Sequence, residues 1–254
     1  MPSTYILTHR GLEPSKPDFY PESSYEAFED QLKRGFGIEF DPNFTKDGIL
    51  VWHDATFERF PGNKLPTFDE VMDLIRKSSS KINALHFKGR YQNQRNTELL
   101  IKHLRKNTNV LPRLLIFDVK PETAGVLLKE FPDIALAPSV AHPYDIRRFN
   151  SVVAETLIGI EQATQMIEDG VFGKNPWVWL DEWDLEDENG TKKLYTKEVF
   201  DKIRVAGAKI ALVTPELHGT SPGLYGGESH PDAKNSPTLL IRIKEIMDLK
   251  PDAI

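Results

Sequence analysis

Short apolar runs that read as strands alternate with amphipathic helical stretches along this 254-residue chain. Residues 5–8 form a first strand, and a capping signal at Ser23-Ser24-Tyr25-Glu26 opens a helix that runs to about Arg34. Residues 38–40 read as the next strand, 67–77 as a helix, 82–87 as a strand and 96–106 as a helix. Residues 113–119 read as a strand, 121–131 as a helix entered by a first-turn proline, and 134–140 as a strand. Helical material at 144–169 ends at Gly170, with the β-branched stretch 150–160 open between states. Strands at 177–180 and 209–213 flank a helix at 196–206, and 238–249 is a last helix. Seven such repeats, with Asp252-Ala253-Ile254 starting an eighth strand that is short or truncated, predict a parallel sheet covered by helices. No glycine-rich dinucleotide loop follows the first strand, which favours a closed barrel over an open doubly wound sheet. A single domain spanning residues 1–254 suits a barrel of this length.

A strand, a helix and a parallel strand make a right-handed crossover that brings both strand ends to the same rim. His9 and Arg10 follow the first strand, and Glu39 and Asp41 lie at the end of the second, so the four converge. Glu39 and Asp41 are two apart and share one face of an extended chain. Asp47-Gly48 then turns the chain, and the apolar run 49–52 ends in His53-Asp54. Two acids with a histidine nearby suit a divalent cation beside a proton-transfer group. Taken alone, the segment also reads as a charged surface hairpin.

Composition narrows the classes. No apolar run approaches the roughly 18 residues of a membrane span. The first residues carry no basic region or cleavage site, so no secretory signal is expected. Cysteine is absent, which excludes disulfides and thiolate chemistry. A net charge of −6 with dispersed Lys and Arg argues against a nucleic-acid partner. A cytoplasmic enzyme or binding domain acting on a small molecule is the expectation, with the oligomeric state open.

The order of short motifs resembles the glycerophosphodiester phosphodiesterases. His9-Arg10-Gly11 is followed by Pro21-Glu22-Ser23-Ser24, Glu39-Phe40-Asp41, Thr45-Lys46-Asp47-Gly48 and His53-Asp54, and then by Pro66-Thr67-Phe68-Asp69-Glu70-Val71. The resemblance covers the first third of the chain closely and the rest loosely. It implies a (β/α)8 TIM barrel of the PLC-like phosphodiesterase type that hydrolyses glycerophosphodiesters. His9 and His53 match the family's acid–base pair, Glu39 and Asp41 its metal ligands, Arg10 and Lys88 its phosphate holders, and Glu22 a supporting acid. The family's third metal ligand is a glutamate on the third strand, where this chain has His86-Phe87-Lys88. Three accounts stay open: His86 ligates the ion, another acid such as Asp118 substitutes, or activity is lost. The resemblance implies Mg2+ or Ca2+, and an imidazole at position 86 also admits Mn2+ or Zn2+. A lysophospholipase D, a cyclising lyase or a silent phosphodiester-binding barrel are the alternatives.

Other candidates read more plainly. His142, His218 and His230 read as solvated loop residues, and the acid-rich run Asp181, Glu182, Asp184, Glu186, Asp187, Glu188 as a solvated loop. Trp177, Trp179 and Trp183 read as packing residues rather than a cage for a quaternary ammonium.

Overall fold

The computed structural model describes residues 4–12, 20–53, 64–182, 193–215 and 235–254. Two parallel sheets carry the barrel's arc. Strands β1 (Leu7–His9), β2 (Gly37–Phe40), β5 (Asn83–His86), β6 (Leu114–Phe117) and β7 (Ala135–Ala137) run side by side. Strands β8 (Ser139–Ala141), β9 (Leu157–Ile158), β10 (Trp177–Asp181) and β11 (Lys209–Leu212) form the second sheet, in the order β11-β10-β8-β9. A small antiparallel hairpin of β3 (Pro42–Phe44) and β4 (Ile49–Val51) rises from the end of β2.

The seams between the sheets are isolated bridges rather than continuous ladders. Pro138, which has no N–H to give, separates β7, paired with β6, from β8, paired with β10, and a parallel bridge joins Leu136 to Pro176. At the other seam Ala253 bridges both Ala211 and Tyr5. Leu7 donates its N–H to the carbonyl of Ile254 at 2.7 Å, and Asp252 donates to Ile210 at 2.8 Å. The expected short eighth strand is this three-residue stretch. It supplies the place between β11 and β1 without a continuous ladder.

Alternation sorts the side chains into two cores. Leu85, Ile116, Leu136, Val178, Leu180 and Ile210 face outward and meet the helices. Ala84, Leu115, Phe117, Ala135, Trp177, Trp179 and Ala211 face inward, small residues opposing large ones. Helices cover the outside: α1 (Tyr25–Lys33), α2 (Phe68–Lys77), α3 (Gln94–Lys106), α4 (Pro121–Glu130), α5 (Pro143–Phe149), α6 (Ile160–Glu168), α7 (Lys197–Val205) and α8 (Ser236–Asp248).

Local chemistry explains their starts. Thr67 and Glu70 form a reciprocal capping box at α2, whose Phe68, Val71, Met72 and Ile75 are buried. Ser24 caps α1 by accepting the Ala27 N–H. The expected long helical stretch 144–169 divides into α5, a turn, β9 and α6, because the β-branched middle supplies a strand instead. Among the described residues no helix is long and apolar enough to cross a membrane.

Candidate active site

The inward rows of β1, β2 and β5 end, at the carboxyl rim, in side chains that carry chemistry. In β1 and β2 the register sets His9 directly opposite Glu39. In β5 the row runs from Ala84 to His86, and Lys88 follows. His9, Arg10, Glu39, Asp41, His53, His86 and Lys88 line one cavity of about 320 Å3. Every sequence-predicted site residue but Glu22 therefore faces the same space.

The turn after β1 delivers Arg10. Arg10 and Gly11 both adopt left-handed backbone, at φ 57° and 67°. A Cβ on Gly11 would lie 3.0 Å from the Phe28 ring and 3.1 Å from the Ala27 carbonyl carbon, so glycine lets this turn press against α1. Glu22, 1% exposed, pairs with the Arg10 guanidinium at 3.4 Å and so supports the cavity from behind. The Arg10 Nε is buried and has no hydrogen-bond partner among the described residues.

The two acids differ in electrostatics. Glu39 accepts the backbone N–H of Arg10 at 3.3 Å, and burial followed by the charge of Asp41 raises its pKa. Burial pushes Asp41 upward too, but the Lys88 charge and the His86 hydrogen bond outweigh it and hold its carboxyl well below the usual range. Asp41 Oδ1 lies 3.0 Å from His86 Nδ1 and 3.1 Å from Lys88 Nζ. Its Oδ2 is buried with no partner among the described residues. Glu39, Asp41 and His86 each present one donor atom, all within 4.8 Å of one another. An orphaned carboxylate oxygen within such a set fits a divalent cation.

His53 arrives on the hairpin. Trp52 donates its N–H to the Asp41 carbonyl at 3.1 Å, which ties the histidine's neighbour to the acid's own backbone. Burial, with the charges of Arg10 and Lys88 behind it, lowers the His53 pKa to about 2 against the pull of Asp41. The ring is therefore neutral.

His86 stands between two carboxylates, with Nε2 3.5 Å from Asp118 Oδ2 as well as Nδ1 on Asp41. Burial lowers its pKa, but the bonds to Asp118 and Asp41 override this and raise it to about 9. Strict alternation after Phe117 would send Asp118 out to the helix layer. Its φ of 67° breaks the strand and lets it line the cavity.

Several supports were not anticipated. Asn43 donates its side-chain amide to the carbonyls of Asp41 and Trp52, at 3.2 and 2.5 Å, and accepts the Tyr91 hydroxyl at 2.6 Å. Gln92 donates to the carbonyls of Phe87 and Asp118 and accepts the Lys120 N–H. The only sequence signal for Asn43 is its two-residue step from Asp41.

Part of the expected solvated loop is buried instead. Asp181 and Glu182 are 9% and 7% exposed, because Asp181 ends β10 and Glu182 follows it at the cavity wall. Asp184, Glu186, Asp187 and Glu188 lie outside the described residues, as do Trp183, His218 and His230. Trp177 and Trp179 pack as expected, Trp179 stacking on Phe117 at 3.7 Å. His142 caps α5, its Nδ1 accepting the Tyr144 N–H.

No protein-family model matches the sequence, and no curated protein matches it either. Solved structures do. One is a protein from Silicibacter pomeroyi DSS-3 assigned as a glycerophosphoryl diester phosphodiesterase, with TM-score 0.64 and 15% identity over 99% of this chain and 88% of that one. A glycerophosphoryl diester phosphodiesterase from Parabacteroides distasonis ATCC 8503 has TM-score 0.58 and 17% identity, over 99% of this chain and 81% of that one. An Oleispira antarctica phosphodiesterase, solved with the product sn-glycerol-3-phosphate, has TM-score 0.57 and 12% identity, over 98% and 91%. This chain shares the fold of these solved phosphodiesterase structures.

Proposed function

We infer that the cavity cleaves a glycerophosphodiester into an alcohol and glycerol phosphate. The observation that supports this most is the meeting in one cavity of His9 and His53 with Glu39, Asp41, Arg10 and Lys88, drawn from separate strand ends. Cleavage forms one P–O bond and breaks another, so one proton must leave the attacking hydroxyl and another must reach the departing oxygen. The neutral His53 suits removal of the first, and His9 delivers the second. The unpartnered Arg10 Nε and the Lys88 ammonium orient the phosphate. Glu39 and Asp41, with His86 as third donor, would hold a divalent ion (Mg2+ or Ca2+, with Mn2+ or Zn2+ suited to the imidazole), which neutralises a non-bridging phosphoryl oxygen when bound. The glycerol phosphate held by the Oleispira structure is consistent with this product.

A second reading, a silent barrel that binds phosphodiesters, draws on the two carboxylates that already occupy both nitrogens of His86. A panel of glycerophosphodiesters assayed with Mg2+, Ca2+, Mn2+, Zn2+ or chelator separates the readings. His9→Ala and His53→Ala are each expected to lose about 10²–10⁴-fold in turnover without loss of fold. If either variant keeps most of its activity, the acid–base assignment is wrong. A cyclic phosphate product identifies a cyclising lyase, and binding without turnover in any ion identifies the silent barrel.

A further inference from the structure

The cavity is charged unevenly. Arg10 and Lys88 bring positive charge to it, while Asp118, Asp181 and Glu182 bring negative charge from the ends of β6 and β10. Glu182 is fully used: it pairs with Arg242 at 2.9 Å and accepts the N–H groups of Leu194 and Tyr195. Asp118 faces His86.

Asp181 differs. Its carboxylate is nine-tenths buried and takes one hydrogen bond, from the Trp179 indole N–H to Oδ1 at 3.3 Å. Among the described residues no cation pairs with it and no donor reaches its Oδ2. Burial, then the charge of Asp118, raises its pKa to about 7 against the weaker pulls of His86, the Trp179 bond and His9. Around it the wall is apolar: Trp179 stacked on Phe117, with Leu157, Leu212 and Val213 beside them.

We propose that Asp181 recognises an ammonium-bearing head group on the phosphodiester. A buried carboxylate in an apolar wall is complementary to a compact organic cation. A polyhydroxylated head group would need several hydrogen-bonding partners, and among the described residues the side chains nearest Asp181 on this wall are mainly apolar. The cavity as a whole then matches a zwitterion, with its phosphate toward Arg10 and Lys88 and its ammonium toward Asp181. The inference rests on the phosphodiesterase reading and names the substrate class within it.

The test is kcat/KM for glycerophosphoethanolamine, glycerophosphocholine and glycerophosphoglycerol, in the wild type and in Asp181→Asn. The wild type is expected to favour the two ammonium substrates over the neutral one. Asp181→Asn is expected to cut that preference about 30-fold or more, the effect lying in KM. A wild type that prefers the neutral substrate, or an unchanged ratio in the variant, overturns the proposal. A second arm needs no variant: free ethanolamine is expected to inhibit the wild type competitively, and propanol at the same concentration is not. Equal inhibition by both overturns the proposal even if Asp181→Asn fails to fold. Absence of turnover on all three diesters overturns the phosphodiesterase reading itself, and this inference with it.

Discussion

His86 concentrates the site's chemistry in one side chain. Its ring lies parallel to Phe117, 4.5 Å between centroids, and its two nitrogens face Asp41 and Asp118. With its pKa raised to about 9 it is cationic near neutrality when no ion is bound, so its ring must lose a proton before it can serve an ion as third donor. Replacing it by a carboxylate removes that positive charge and adds a hard oxygen donor. His86→Glu is therefore expected to tighten Mg2+ or Ca2+ binding by about tenfold or more, measured by calorimetry. Unchanged affinity would put residue 86 outside the metal's shell. The sequence shows the missing glutamate, but not that the histidine is gripped by Asp118. That contact depends on a left-handed residue breaking the alternation of β6.

Between elements, the hairpin β3–β4 carries His53, and its placement over β2 rests on Asn43. One buried amide serves the carbonyls of Asp41 and Trp52 and receives the hydroxyl of Tyr91 from the turn after β5. Asn43→Ala takes one partner from each of these groups in a buried place, a cost of about 1–3 kcal/mol in unfolding free energy. Turnover is expected to fall with it, because His53 loses its fixed distance from Asp41. Full activity at unchanged stability would mean that the backbone bond from Trp52 to Asp41 suffices. Acids two apart and a turn at Asp47-Gly48 make this hairpin legible from the sequence. The Tyr91 contact is not legible, since the two residues lie 48 apart in the chain and meet only through folding.

For the whole molecule, stability should depend on pH through the buried rings. His53 has its folded pKa depressed to about 2, below the unfolded value of about 6.5. Below about pH 6.5 the unfolded chain takes a proton that the folded chain refuses, so stability falls as pH drops. His86 is the opposite case, with its folded pKa raised to about 9. Its contribution is complete below about pH 6.5 and is lost as pH rises through about 9. Denaturant unfolding in chelator at pH 5, 6.5 and 9 should therefore show both limbs, each with a slope of about 1 kcal/mol per pH unit or less. His53→Ala should flatten the acid limb and His86→Ala the alkaline one. Limbs that persist in the variants would assign them to other groups.

Local periodicity and short-range motifs were enough to specify the repeated strand–helix units, the inward pairing of Glu39 with Asp41, and the chain segment at the eighth strand position. These depend on residues a few steps apart, where backbone geometry alone decides which side chains share a face. Only the tertiary structure decided that Asp181 and Glu182 belong to a buried wall rather than a solvated loop, and that Asp118 turns inward to meet His86. Those outcomes depend on desolvation and on distances between remote strands, which a run of letters does not encode locally.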